Sequence, residues 1–90
     1  MGTGTKYAFT ENAWEEYCYW QMQDKKNLRR INDLIKDIVR NGYTGIGKPE
    51  PLKGTAGQWS RRINEKDRLI YTIEDGKVVI IQCRTHYNDH

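Results

Sequence analysis

Gln58-Trp-Ser-Arg-Arg-Ile63, Arg68-Leu-Ile-Tyr-Thr-Ile73 and Val78-Val-Ile-Ile-Gln-Cys-Arg84 are three short runs rich in β-branched and aromatic residues. Between them lie Asn64-Glu-Lys-Asp67 and Glu74-Asp-Gly76, both good turn sequences. Connections this short force neighbouring strands to run antiparallel, so residues 58–84 predict a three-stranded meander. Side chains alternate along a strand. Trp59 and Ile63, then Leu69, Tyr71 and Ile73, then Val79, Ile81 and Cys83 are expected to face the core. Ser60 and Arg62, then Arg68 and Thr72, then Gln82, Arg84 and His86 are expected on the opposite face. Arg61, Ile70 and Ile80 fit this alternation poorly, and a bulge would break it.

Upstream of the meander the period changes from two to about four. Lys6-Tyr-Ala-Phe9 alternates briefly and predicts a first strand. Thr10 is a helix cap with Glu11 in the favoured acidic first turn. From Glu11 to Gln23, Trp14, Cys18 and Met22 recur every four residues, which predicts a helix with that stripe buried. Asp24 caps a second helix over Lys25–Arg40, whose stripe is Leu28, Ile31, Leu34, Ile35 and Ile38. Its other face carries Lys25, Lys26, Arg29, Arg30, Asp33, Lys36 and Asp37 and reads as solvated. Asn41-Gly42 supplies the left-handed stop. With almost no linker the helices form an antiparallel hairpin. The expected fold is therefore α+β: two antiparallel N-terminal helices packed on a twisted antiparallel sheet, in the order β-α-α-β-β-β.

Ninety residues suffice for one domain with a small core. Met1-Gly-Thr-Gly-Thr5 has little structure-forming character and is expected to be a frayed end. A net charge of +3 favours a polyanionic partner without proving one. Cys18 and Cys83 form no framework and predict two buried thiols in a reduced, cytoplasmic protein. No stretch is apolar for long enough to span a bilayer, and no signal peptide is read.

Between the second helix and the meander lies a loop, Gly42 to Gly57, with five of the eight glycines and both prolines. Its length in so small a domain marks it as functional. It holds Glu50 between Pro49 and Pro51, and Lys53. Because it enters the first meander strand, it can fold over the face that carries Arg62, Arg68 and His86. A carboxylate, several cations and an imidazole are what metal-free acid–base work at a phosphate requires. In RNA cleavage through the 2′-hydroxyl, Glu50 suits the base. Lys53, Arg62 and Arg68 suit the cations that hold phosphorane charge. His86 suits the acid, because it titrates near neutral pH. His86 and His90 sit four apart with Asp89 close by, but the tail does not read as a helix that would converge them and no third convergent ligand joins the pair, so neither a metal site nor a cofactor is expected.

Lys48-Pro-Glu-Pro-Leu-Lys53, Trp59-Ser-Arg-Arg-Ile63, Asp67-Arg-Leu-Ile-Tyr71 and His86-Tyr87, with Glu15-Glu-Tyr-Cys-Tyr-Trp20 and Arg30-Ile-Asn-Asp-Leu-Ile-Lys-Asp37, resemble the YoeB (Txe) toxins of the RelE/ParE-like superfamily. The resemblance runs from about Lys6 to Tyr87. It implies a RelE-like fold and a type II toxin, an endoribonuclease cutting messenger RNA in the A site of the 70S ribosome. It implies a cognate antitoxin, operator DNA bound only by the toxin–antitoxin complex, and a homodimer. Carried over, Glu50, Arg68, His86 and Tyr87 would be catalytic, with Lys53, Arg62 and Arg61 binding substrate and Trp59 in the core. Family members tend to stop at or just after the His-Tyr pair, whereas this chain continues through Asn88, Asp89 and His90. Two other readings stay open: a non-catalytic ParE-like inhibitor of DNA gyrase, and a basic nucleic-acid-binding module.

Overall fold

The computed structural model describes residues 6–84. The 1–5 segment and the tail with His86, Tyr87, Asn88, Asp89 and His90 lie outside the described residues. The order is β1 (Tyr7–Phe9), α1 (Glu11–Gln23), α2 (Lys25–Asn41), β2 (Glu50–Pro51), β3 (Trp59–Arg62), β4 (Arg68–Glu74) and β5 (Lys77–Gln82).

Local chemistry sets the helix ends where the caps predict them. Thr10 accepts the Ala13 N–H at 3.1 Å, and its hydroxyl donates to the Ile81 carbonyl at 3.1 Å, tying the start of α1 to β5. Asp24 closes α1 through its own N–H and opens α2 by accepting from Lys26 and Asn27. One residue therefore makes the whole turn of the hairpin. Gly42, at φ 71°, ends α2.

The five strands form one sheet in the order β1-β5-β4-β3-β2. β3, β4 and β5 are the expected antiparallel meander. Two features go beyond the expectation. β1 pairs with β5 in parallel, which makes the sheet mixed. The proline-flanked segment adds the two-residue edge strand β2, where Pro51 costs little because an edge position need not donate.

The core is built from Ala13 and Trp20 of α1, Ile31, Leu34, Ile35 and Ile38 of α2, and Leu69, Tyr71, Val78, Ile80 and Cys83 from the sheet side. The buried stripe of α2 is the predicted one. That of α1 is not. Met22 is 82% and Trp14 50% exposed, while Ala13 and Trp20 are buried and Tyr17 packs against the core. The small Ala13 seats the helix closely on its neighbours, and the Trp20 indole reaches the Cys83 carbonyl at 2.7 Å. Along β5 the expected alternation is also corrected. Val78 and Ile80 are buried, not Val79 and Ile81, which are half-buried. A register shift opposite Ile70 and Tyr71 leaves Ile81 as an extra residue and returns Cys83 to the core. Burial pushes the Cys83 thiol up to about 12, with Glu16 and Asp67 adding to the shift. Cys18 is only half-buried.

Candidate active site

Register places the site. Glu50 is the partner of Ser60, Ser60 of Ile70, and Ile70 of Gln82, so these four share one cross-strand row. Arg62 and Arg68 are partners in the next row on the same face. Two residues of β3 separate the rows, a spacing of about 7 Å. This is the face turned away from the helices. The expected convergence of Glu50, Arg62 and Arg68 therefore holds at the level of strand register. Glu50 and Arg62 are exposed, and Arg68 is partly so. The Ser60 hydroxyl beside Glu50 is buried and makes no hydrogen bond.

Lys53 lies in the connection between β2 and β3, residues 52–58. The Leu52 N–H donates to the Gln58 carbonyl at 2.9 Å, and the Thr55 hydroxyl donates to the Leu52 carbonyl at 2.8 Å. The Lys53 side chain is exposed at this closed end. Arg62 and Arg68 against Glu50 give these two rows a formal surplus of one positive charge, the right sign for a phosphate, while Lys53 lies beyond the Glu50 row on the side away from Arg62. His86 and Tyr87 lie outside the described residues, two and three positions beyond Arg84, whose guanidinium carbon sits 3.6 Å from the Tyr19 ring centroid.

Arg61 does not join this face, which corrects its expected role in substrate binding. It is fully buried on the helix side, opposite Leu69. All five of its donor positions are used within the protein. Nε donates to the Tyr71 hydroxyl at 3.2 Å. One terminal nitrogen donates to Asp37 at 2.5 Å and to the Ile46 carbonyl at 3.1 Å. The other donates to the carbonyls of Gly42 at 2.7 Å and Thr44 at 2.8 Å. A guanidinium so occupied offers nothing to a phosphate. Trp59 packs against the core as expected, stacked on Tyr43 at 4.5 Å between centroids.

Asp37 was expected on the solvated face of α2. It instead meets Arg61 and accepts the Ile46 N–H at 3.1 Å, while Asn41 donates to its other oxygen at 2.8 Å. The Arg61 hydrogen bond holds its carboxyl below the usual 3.8 against the opposing pull of desolvation. Glu16 was also missed: its carboxylate accepts the Cys83 N–H at 2.7 Å. No local pattern marks either residue, because each has its partner 24 or more positions away.

Residues 9–87 match the family described as "YoeB-like toxin of bacterial type II toxin-antitoxin system". The chain belongs to the YoeB-like toxin family. Toxin YoeB of Synechocystis sp. is 58% identical over 83 residues, covering 91% of this chain and 96% of that protein. The YoeB/ParE toxin from Agrobacterium tumefaciens superposes with a TM-score of 0.88 at 44% identity, covering 92% of this chain and all (100%) of that one. The YoeB dimer from Staphylococcus aureus gives 0.86 at 46% identity, over 94% of this chain and 100% of its own. The Staphylococcus aureus protein has also been solved as a YoeB-YefM complex. Two helices on a five-stranded mixed sheet are thus a YoeB toxin fold, and the chain is a toxin of a type II toxin–antitoxin system.

Proposed function

We propose that this toxin is a ribosome-dependent endoribonuclease that cuts messenger RNA in the A site by metal-independent acid–base chemistry and so stops translation. The observation that carries the reading is the register that sets Glu50 one row from the Arg62–Arg68 pair on a single sheet face. Glu50 takes the proton from the 2′-hydroxyl, whose oxygen attacks the adjacent phosphorus. Arg62, Arg68 and Lys53 hold the charge that builds on the phosphorane oxygens. His86 gives its proton to the departing 5′-oxygen, and Tyr87 positions or stacks the substrate. The bond formed is 2′-O–P, the bond broken is P–5′-O, and the products are a 2′,3′-cyclic phosphate and a 5′-hydroxyl.

The partners follow from the relatives. A cognate antitoxin of the YefM kind would cover the toxin, and the pair together would bind operator DNA. Free toxin would form a homodimer in the cytoplasm. Trp14, clustered with Phe9 and Tyr17 at centroid distances of 5.7 Å, is half-exposed apolar surface of the sort that protein partners cover.

Induced expression of His86→Gln and Arg68→Ala tests the reading. Each variant should lose growth inhibition while purifying as a folded protein. Full toxicity in both would remove the catalytic interpretation and bring a protein target such as gyrase forward.

A further inference from the structure

We infer that Asp37 and Arg61 are positioning residues for the cleavage face, acting through the loop that leads to Glu50. This rests on the reading of Glu50 and Arg62 given above.

The loop has no regular structure between Gly42 and Pro49, yet it must deliver Glu50 to one place. The Arg61 guanidinium gathers three alternate carbonyls of that loop, those of Gly42, Thr44 and Ile46. Asp37 gathers the Ile46 N–H and neutralises the guanidinium. A Cβ on Gly45 would lie 1.9 Å from the Asp37 carboxylate, so the backbone approaches this ion pair as closely as glycine permits. Two residues later the Gly47 carbonyl accepts the N–H of Arg62 at 2.7 Å. Glu50 and Pro51 then pair with Ser60 and Trp59.

The adjacent arginines thus divide the work. Arg61 points inward and fixes the loop from below. Arg62 has its N–H bonded to the same loop and its side chain on the cleavage face. Displacing the guanidinium frees the carbonyls of Gly42, Thr44 and Ile46 together, and the play passes to Glu50 four residues on. A base displaced by a fraction of an ångström loses rate while substrate binding, spread over the other cations, is largely kept.

The test uses Arg61→Lys, which keeps the charge but loses the fork, and Asp37→Asn, which keeps the shape but loses the charge. Both are compared with wild type and with Glu50→Gln, well below the melting temperature. In wild type the Ile46 and Arg62 amides should be protected from hydrogen exchange to the level of β3, and rapid exchange there would overturn the proposal without any variant. In Arg61→Lys and Asp37→Asn these amides should exchange faster while those of β4 and β5 do not. Single-turnover cleavage should fall by about tenfold or more with KM changed by less than about twofold. In a Glu50→Gln background the same substitutions should cost less than about twofold, because their effect passes through Glu50. An unchanged rate despite faster loop exchange, or a full loss retained in the Glu50→Gln background, would overturn the positioning role. Wild-type cleavage by Glu50→Gln alone would instead strike the assignment of Glu50 as the base, and the exchange data would still decide whether the ion pair holds the loop.

Discussion

Arg62 and Arg68 are direct register partners across β3 and β4, two guanidinium-bearing residues fixed opposite each other beside the turn that joins their strands. Like charges at such positions oppose pairing, on the scale of roughly 0.2–1 kcal/mol. The turn is closed regardless by the Ile63 N–H, which donates to the Asp67 carbonyl at 3.0 Å. Two guanidinium-bearing residues set side by side on the sheet face turned from the helices are suited to receiving an anion. Arg62→Ala should therefore lower single-turnover cleavage by about 100-fold, the scale of losing one oriented charge-stabilising donor. Its melting temperature should stay level or rise slightly. A large loss of stability with cleavage intact would assign Arg62 to the fold instead.

The Cys83 peptide is held at both polar ends by α1, with Glu16 on its N–H and the Trp20 indole on its carbonyl, each at 2.7 Å. Both Trp20 and Cys83 are buried. Trp20→Phe keeps most of the volume but leaves that carbonyl without its donor. The expected cost is about 1–3 kcal/mol in urea unfolding. Trp14→Phe, on the exposed side of the same helix, serves as the control and should cost far less in the monomer. Equal effects would mean that the indole hydrogen bond contributes little.

Acid should weaken the fold partly through Asp37. Its folded carboxyl is held below 3.8, so the folded state binds its proton less readily than the unfolded chain. The stability it contributes is complete above that ordinary value and is lost as pH falls through the depressed folded value. Unfolding free energies measured from pH 7 to pH 2 should drop less steeply for Asp37→Asn than for wild type below about pH 4. The variant should be the less stable of the two at neutral pH. A difference between them that stays constant over the whole range would contradict the ion-pair linkage.

Much of this architecture was legible in the sequence because local chemistry and tertiary packing agree there. Thr10, Asp24 and Gly42 end their helices as cap residues should, and the turns at 64–67 and 74–76 set the meander. That Ser60, Arg62 and Arg68 share one face of the sheet followed from alternation along β3 and β4. Three features escaped for physical reasons. Helix α1 is aromatic on several sides, so the stripe of Trp14, Cys18 and Met22 looks as apolar as the true contact at Ala13, Tyr17 and Trp20. The bulge at Ile81 inverts the parity of β5, and nothing in Val-Val-Ile-Ile announces where an extra residue sits. Arg61 belongs to a run of polar residues, and only the folded chain brings Asp37 and the carbonyls of the glycine loop around it. A buried arginine with five internal partners has the same local sequence as one that grips phosphate.

Ribosomes carrying a defined message, with and without a single 2′-deoxy substitution at the A-site codon, provide the most direct test of cleavage. The 5′ ends produced by the purified toxin would be mapped on both. Cleavage within the A-site codon of the normal message and resistance of the 2′-deoxy message are predicted, because the attacking oxygen is the one removed. Equal cutting of both messages would contradict attack by the 2′-hydroxyl, and survival of both at saturating toxin would contradict RNA cleavage itself.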